Sequence, residues 1–147
     1  GVHQGVSGGS VEEGLRASVE RRSLPPGLSA ARVAERLLER EGQLSTAVGR
    51  GVAMPHSRLP IITEAQHELV AVCYPERPLD FSAPDGIPVG VLFILLTANP
   101  KRPLELLSQL ARLCSEAEFL ALLRAGGSLP ALLSCMKRLS TGWAGAL

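Results

Sequence analysis

Aromatic residues are scarce: one Trp, one Tyr and three Phe among 147 positions. Binding of single-stranded nucleic acid depends on aromatic platforms for stacked bases, and this chain has little to build one from. An excess of either charge is also missing. Fifteen Lys and Arg stand against fourteen Asp and Glu, a net charge of +1, so there is no electrostatic reason to expect a nucleic acid or a membrane surface as partner. Long hydrophobic runs are absent as well. The longest, Ile87 to Ala98, falls far short of the ~20 residues a membrane helix needs, and no signal-peptide pattern opens the chain. Direct membrane insertion is therefore not expected, and the chain reads as soluble and cytoplasmic. It starts at Gly1 without Met, which reads as a trimmed chain or a domain cut from something longer. Cysteine is sparse too. Cys73, Cys114 and Cys135 are an odd number at wide spacing, each inside an apolar run, the pattern of buried free thiols in a reducing compartment. His56, His67 and the cysteines lack the short ligand spacings of a zinc site, so no metal is expected.

What the chain does have is aliphatic bulk. Hydrophobic residues make up 46%, enough for one domain with a core of Leu, Val, Ile and Ala. Val2 to Val6 is a weak opening strand. Ser10 with Glu13 forms a capping box for a helix carrying Val11, Leu15 and Val19 on one face. Ser29 caps a second helix, in which Ala30, Val33, Ala34, Leu37 and Leu38 follow helical spacing. Glu68 to Tyr74 reads as a strand, and Pro75 to Pro88 as a long loop with a turn at Pro84-Asp85-Gly86. Val89 to Thr97 is apolar at nearly every position, so it belongs in a sheet covered on both faces. Three helices complete the pattern. The first has Pro103 in its opening turn and Leu107, Leu110, Ala111 and Cys114 on its inner face. The second starts from a Ser115/Glu118 capping box and stops at Gly126-Gly127. The last carries Leu129, Leu132, Leu133, Met136 and Leu139. The expected fold is α/β, a three-layer α/β/α sandwich on a mixed sheet of about four to five strands. The domain is expected to span 1–139, with 140–147 as a patternless C-terminal tail.

One segment departs from generic composition. Val52-Ala53-Met54-Pro55-His56 follows Gly49-Arg50-Gly51. Met54 precedes a proline and is pushed toward extended backbone, and Pro55 fixes its own φ. His56 is thus delivered on a stiff backbone, with Arg40, Arg50 and Arg58 in the same stretch of chain and two glycines that let backbone N–H groups approach an anion. A neutral imidazole held this way can attack phosphorus, provided cationic and backbone donors stabilise the phosphoryl oxygens. By spacing alone, a histidine after proline is more often a turn residue than a nucleophile.

The run from Glu41 through Val48-Gly49-Arg50-Gly51-Val52-Ala53-Met54-Pro55-His56 resembles the active-site signature of the phosphotransferase system (PTS) EIIA domains of the fructose, mannitol and nitrogen-regulatory type. Arg40, sixteen residues before the histidine and followed by Glu41, Ser45 and Thr46, is similar to the family's pattern, as are Pro78-Leu79-Asp80-Phe81 and Asp85-Gly86. The resemblance runs from about Val2 to Leu139. It implies the EIIA type 2 fold and a phosphohistidine carrier, with His56 as acceptor and Arg40 holding phosphate, and it extends the phosphate-binding set to Ser45, Thr46, Gly49 and Gly51. It implies no dissociable cofactor. An HPr-like phosphocarrier protein would be the donor, and a IIB domain or a regulated protein the recipient. The sequence departs from the family at Ser57, where Gly, Ala or Cys is usual, and at Pro103, where many members carry a second histidine that helps the incoming phosphoryl group. Lys101 or Arg102 is the candidate for supplying that missing charge.

The rival expectation is an EIIA-like regulatory or sensor domain without efficient transfer. Such domains also occur fused to membrane transporters and transcription regulators, and fusion to a membrane transporter is open for this chain. His67 reads as an exposed strand-end residue and His3 as a surface residue. A hydrolase triad built on Ser57 lacks the Gly-x-Ser-x-Gly elbow.

Overall fold

The computed structural model describes residues 1–143. Five strands form one mixed sheet: β1 (Val2–Val6), β2 (Ala47–Gly49), β3 (Val52–Ala53), β4 (Leu69–Pro75) and β5 (Val91–Leu96), in the order β1-β4-β5-β3-β2. Strand β5 runs antiparallel to β4 and parallel to β3 at the centre, while β1 joins β4 in parallel and β2 joins β3 as a hairpin. Helices α1 (Val11–Glu20) and α2 (Ala30–Gln43) cover one face. Helices α3 (Arg102–Cys114), α4 (Ala117–Arg124) and α5 (Leu129–Leu139) cover the other.

Strand alternation explains the three layers. Successive side chains of a strand point to opposite faces, so Leu92, Ile94 and Leu96 of β5 pack with Leu15, Val19, Val33 and Leu37 of α1 and α2. Val91, Phe93 and Leu95 pack with Leu106, Leu110, Leu113, Phe119 and Leu132 of the other three helices. All six β5 residues are buried, as the continuous apolar run predicts. β4 divides the same way, with Ala71 and Cys73 on the first face and Val72 and Tyr74 on the second. The three cysteines are free and buried. Loss of hydration pushes the Cys73 thiol up and the Cys114 thiol up to about 11, so neither is poised as a thiolate.

Several expectations need correction. Ser10 Oγ accepts from Glu13 N at 3.2 Å, but Glu13 reaches back to Gly9 N rather than to Ser10. The Ser115/Glu118 box does not form. Ser115 closes α3 and donates its hydroxyl to Arg112 O, while Glu118 faces across to Arg138 in an ion pair. On α3 the inner face is turned from the expected one: Leu106, Leu110, Leu113 and Cys114 are buried, and Ala111 is exposed. Leu133 on α5 is 52% exposed, because α5 meets the core through Leu132 and Cys135 instead. The expected tail begins as structure. Ser140 caps α5 and is buried, and Trp143 lies under the Arg112 guanidinium, 4.0 Å from carbon Cζ to the ring centroid. The remainder of that tail, 144–147, lies outside the described residues. Among the described residues no helix is long and apolar enough to cross a membrane.

Phe93 is 1% exposed at the middle of the central strand. Phe93→Ala is expected to destabilise the protein by about 3–5 kcal/mol, read as a lower urea midpoint at unchanged slope.

Candidate functional site

The site grows out of the seam between β3 and β5. Val52 pairs with Val91 and Ala53 with Leu92, and the same register continues beyond the strand to a bridge between His56 and Leu95. Leu95 N donates to Pro55 O at 2.9 Å, so the segment with no donor of its own at Pro55 is held through its carbonyl. On the other side Met54 N donates to Thr46 O at 3.0 Å. The chain leading to the histidine is therefore bonded to both neighbouring strands.

His56 is 9% exposed. Its Nδ1 lies 2.9 Å from Met54 O. A carbonyl oxygen only accepts, so Nδ1 carries the proton and the Nε2 lone pair is the basic and nucleophilic site. Burial pushes the His56 pKa below its ordinary value. The Met54 hydrogen bond opposes that shift, Arg40 adds to it, and Glu41 opposes it more weakly. A neutral imidazole with one defined lone pair is the form that can attack phosphorus.

The charges whose fields reach His56 are thus Arg40 and Glu41, both from the last turn of α2. Arg40 Nη1 donates to Leu44 O at 2.6 Å, which closes the helix end. That bond uses one of its five donors and ties the guanidinium to the end of α2. The charge of Arg40, the arginine the family resemblance points to, is thus felt at His56.

The other expected phosphate contacts are placed differently. Thr46 is buried, with its N–H on Glu41 Oε1 at 2.9 Å and its hydroxyl donated to Glu41 Oε2. The Ser45 hydroxyl donates to Phe81 O at 2.6 Å and accepts from Ala47 N. Each hydroxyl has one proton and spends it inside the protein, so both residues shape the loop that leads into β2. Gly49 and Gly51 flank the hairpin turn at the far end of β2 and β3, roughly 13–16 Å along the strands from His56. They are needed for backbone shape: φ is +94° at Gly49, +58° at Arg50 and +82° at Gly51. The anion bound by this turn belongs to the protein itself. Arg50 N donates to Asp85 Oδ2 at 2.7 Å, and this bond, with a second from Ile87 N, holds the Asp85 carboxyl below its ordinary pKa. A Cβ on Gly49 would come within 3.0 Å of the same carboxylate oxygen. Arg50 points its guanidinium to Cys114 O, away from the histidine end of the hairpin.

Pro103 is buried in the first turn of α3. Arg102 beside it is engaged by two carboxylates, Glu68 at 3.6 Å and Glu105 at 3.1 Å, and its field is not among those that move His56. The expectation that it replaces the missing imidazole gains no support from this geometry. His67 sits in a short 3₁₀ turn, Ala65–His67, ahead of β4. Sequence reasoning gave no part to the Met54 carbonyl or to the link from Glu41 to Thr46. A backbone acceptor leaves no mark in side-chain identity, although the Glu five residues before Thr was in plain view.

Comparisons with known proteins place the chain in a family. The sequence profile of the family described as "Phosphoenolpyruvate-dependent sugar phosphotransferase system, EIIA 2" matches residues 12–138. A nitrogen regulatory protein of Pseudomonas aeruginosa is 36% identical over 141 residues, covering 93% of this chain and 89% of that protein. The crystal structure of the nitrogen regulatory protein IIA-Ntr from Neisseria meningitidis superposes with a TM-score of 0.72 at 31% identity, over 91% of this chain and 90% of that one. The IIA mannitol domain of Escherichia coli shares the fold, with a TM-score of 0.67 at 16% identity over 91% of this chain and 94% of that one. With a profile match across most of its length and these relatives, the chain belongs to the EIIA 2 family of the phosphoenolpyruvate-dependent sugar phosphotransferase system.

Proposed function

We propose that this domain is a phosphoryl carrier that takes a phosphoryl group on Nε2 of His56 from a phosphorylated HPr-like protein. The observation that carries this reading is the Nδ1 hydrogen bond to Met54 O, which leaves a single lone pair for the attack. In the transfer the Nε2 lone pair forms the new N–P bond as the donor's bond to phosphorus breaks, and that bonding pair returns to the donor. Arg40 is the cation whose charge is felt at the acceptor and is assigned to the phosphoryl oxygens. Onward transfer to a IIB partner is one output; a fold neighbour is known as the complex of enzyme IIA mannitol with phosphorylated enzyme IIB from Escherichia coli. The nitrogen-regulatory relatives favour the other, in which the phosphorylation state of His56 acts on a regulated protein.

Pro103 supports a second reading, a regulatory domain that turns over slowly. Its buried ring offers no donor at the position where the family resemblance expects an imidazole. The two readings separate by rate, since the carrier must exchange phosphoryl groups at the pace of its pathway and the sensor need only hold one.

Incubation with phosphoenolpyruvate, enzyme I and HPr is expected to label the wild-type protein, with the label abolished in His56→Ala. An unlabelled wild type, or a fully labelled His56→Ala, refutes the carrier reading. Pro103→His is expected to take up label faster than wild type; an unchanged rate would show that the missing imidazole does not limit transfer here.

The lowered pKa of His56 fixes a pH dependence. In the folded state the titration midpoint lies below 6.5, the ordinary histidine value, so the neutral ring predominates at that pH. Phosphoryl uptake is therefore expected to decline as pH falls, with its midpoint below 6.5. The unfolded chain binds the proton more readily, so the contribution of His56 to stability is complete above pH 6.5 and is lost as pH falls toward the folded-state value. An NMR titration of the His56 ring protons checks both, and a midpoint at or above 6.5 would contradict them.

A further inference from the structure

A continuous set of hydrogen bonds connects the acceptor histidine to one carboxylate. His56 Nδ1 donates to Met54 O at 2.9 Å, Met54 N donates to Thr46 O at 3.0 Å, and Thr46 gives both its N–H and its hydroxyl to Glu41. Thr46 and Met54 are buried, Met54 completely, and Pro55 is fixed from the β5 side by Leu95 N. Glu41 receives two donors from one residue, one on each oxygen, a grip that sets both the position and the rotation of Thr46.

We infer that Glu41 is a positioning residue for phosphoryl transfer: it anchors the Thr46–Met54 backbone pair that holds the His56 ring, and its negative charge favours the positive charge the ring acquires as Nε2 bonds to phosphorus. The inference rests on the assignment of His56 as the acceptor. Attack by an imidazole that already bears a proton on Nδ1 leaves the ring cationic once Nε2 is phosphorylated. No proton has to leave, and the positive charge spreads over both nitrogens. Two neighbouring charges of opposite sign then divide the work. Arg40 suits the phosphoryl oxygens, whereas Glu41 suits the imidazolium.

The mechanical and electrostatic parts are separable. The peptide groups in the set are joined through Cα atoms, so each hydrogen bond locates the next residue without polarising it directly. The charge acts through space, and the direction of its effect on the ring is upward, against the fields of burial and Arg40. The carboxylates that share the surface cleft with Glu41 are Glu12 of α1 and Asp80 of the loop before β5. Neither is among the charges that move His56, so removing the Glu41 charge leaves no substitute at the ring.

Glu41→Gln tests the charge with the shape retained, since a Gln oxygen still accepts from Thr46 N and its amide can donate to the Thr46 hydroxyl. The His56 pKa, followed by NMR titration without any phosphoryl donor, is expected to fall relative to wild type. Uptake of phosphate from phosphoramidate, a small donor that requires no partner protein, is expected to slow roughly tenfold. Thr46→Ala tests the anchor: the Nδ1–H tautomer, read from ring 15N shifts, is expected to lose population. An unchanged His56 pKa in Glu41→Gln overturns the inference, and if that variant does not fold, an unchanged tautomer population in Thr46→Ala does so. A wild-type protein that takes no phosphate from phosphoramidate counts against His56 as acceptor, and the pKa and tautomer measurements still decide the role of Glu41.

Discussion

The site depends on the hydrogen bond between His56 Nδ1 and the carbonyl of Met54, two residues earlier in the same chain. A short loop of this kind is stable only where the backbone on either side cannot turn. Pro55 restricts its own φ and the geometry of Met54, and the bonds from Leu95 N and to Thr46 O hold the segment against β5 and β2. The buried ring then has one tautomer, and one nitrogen is left for chemistry. Were the segment free of the sheet, the same residues would form an ordinary turn with the imidazole in water and either tautomer open to it.

The sheet supplies that restraint because its centre is apolar on both sides. β5 is sandwiched between two separate hydrophobic clusters, so its edge toward β3 is fixed in register. The parallel pairing of β3 with β5 carries the register to His56. The end of α2 comes to the same place because its Val33, Ala34 and Leu37 face is buried on the first side of the sheet. Arg40 and Glu41 follow that face by about one turn. Core packing and the electrostatics of the histidine are thus linked through one helix end.

Much of this was legible in the residues. The all-apolar run at Val89 to Thr97 announced a central strand, and helical spacing located α1 and α2, whose caps at Ser10 and Ser29 form. The Met-Pro-His run and Arg40 stood out in the same way, and the Arg40 charge is felt at His56. Where the reading missed, competition between partners was the cause. Glu118 had Arg138 within reach and left Ser115 without its box. The Gly49-Arg50-Gly51 turn, suited to an anion, took the carboxylate of Asp85 thirty-five residues away. Ser45 and Thr46 gave their hydroxyl protons to Phe81 and Glu41 before any outside anion could compete.

The sequence by itself determined the layers, the stiff approach to His56 and the presence of a cation sixteen residues before it, because periodicity, proline geometry and local spacing are properties of neighbouring residues. Only the tertiary structure decided which nitrogen of the ring carries the proton, which arginine's charge is felt there and which polar groups are already taken. Those outcomes depend on backbone carbonyls and on groups far apart in the chain, and the partner that wins is the one the packed sheet brings nearest.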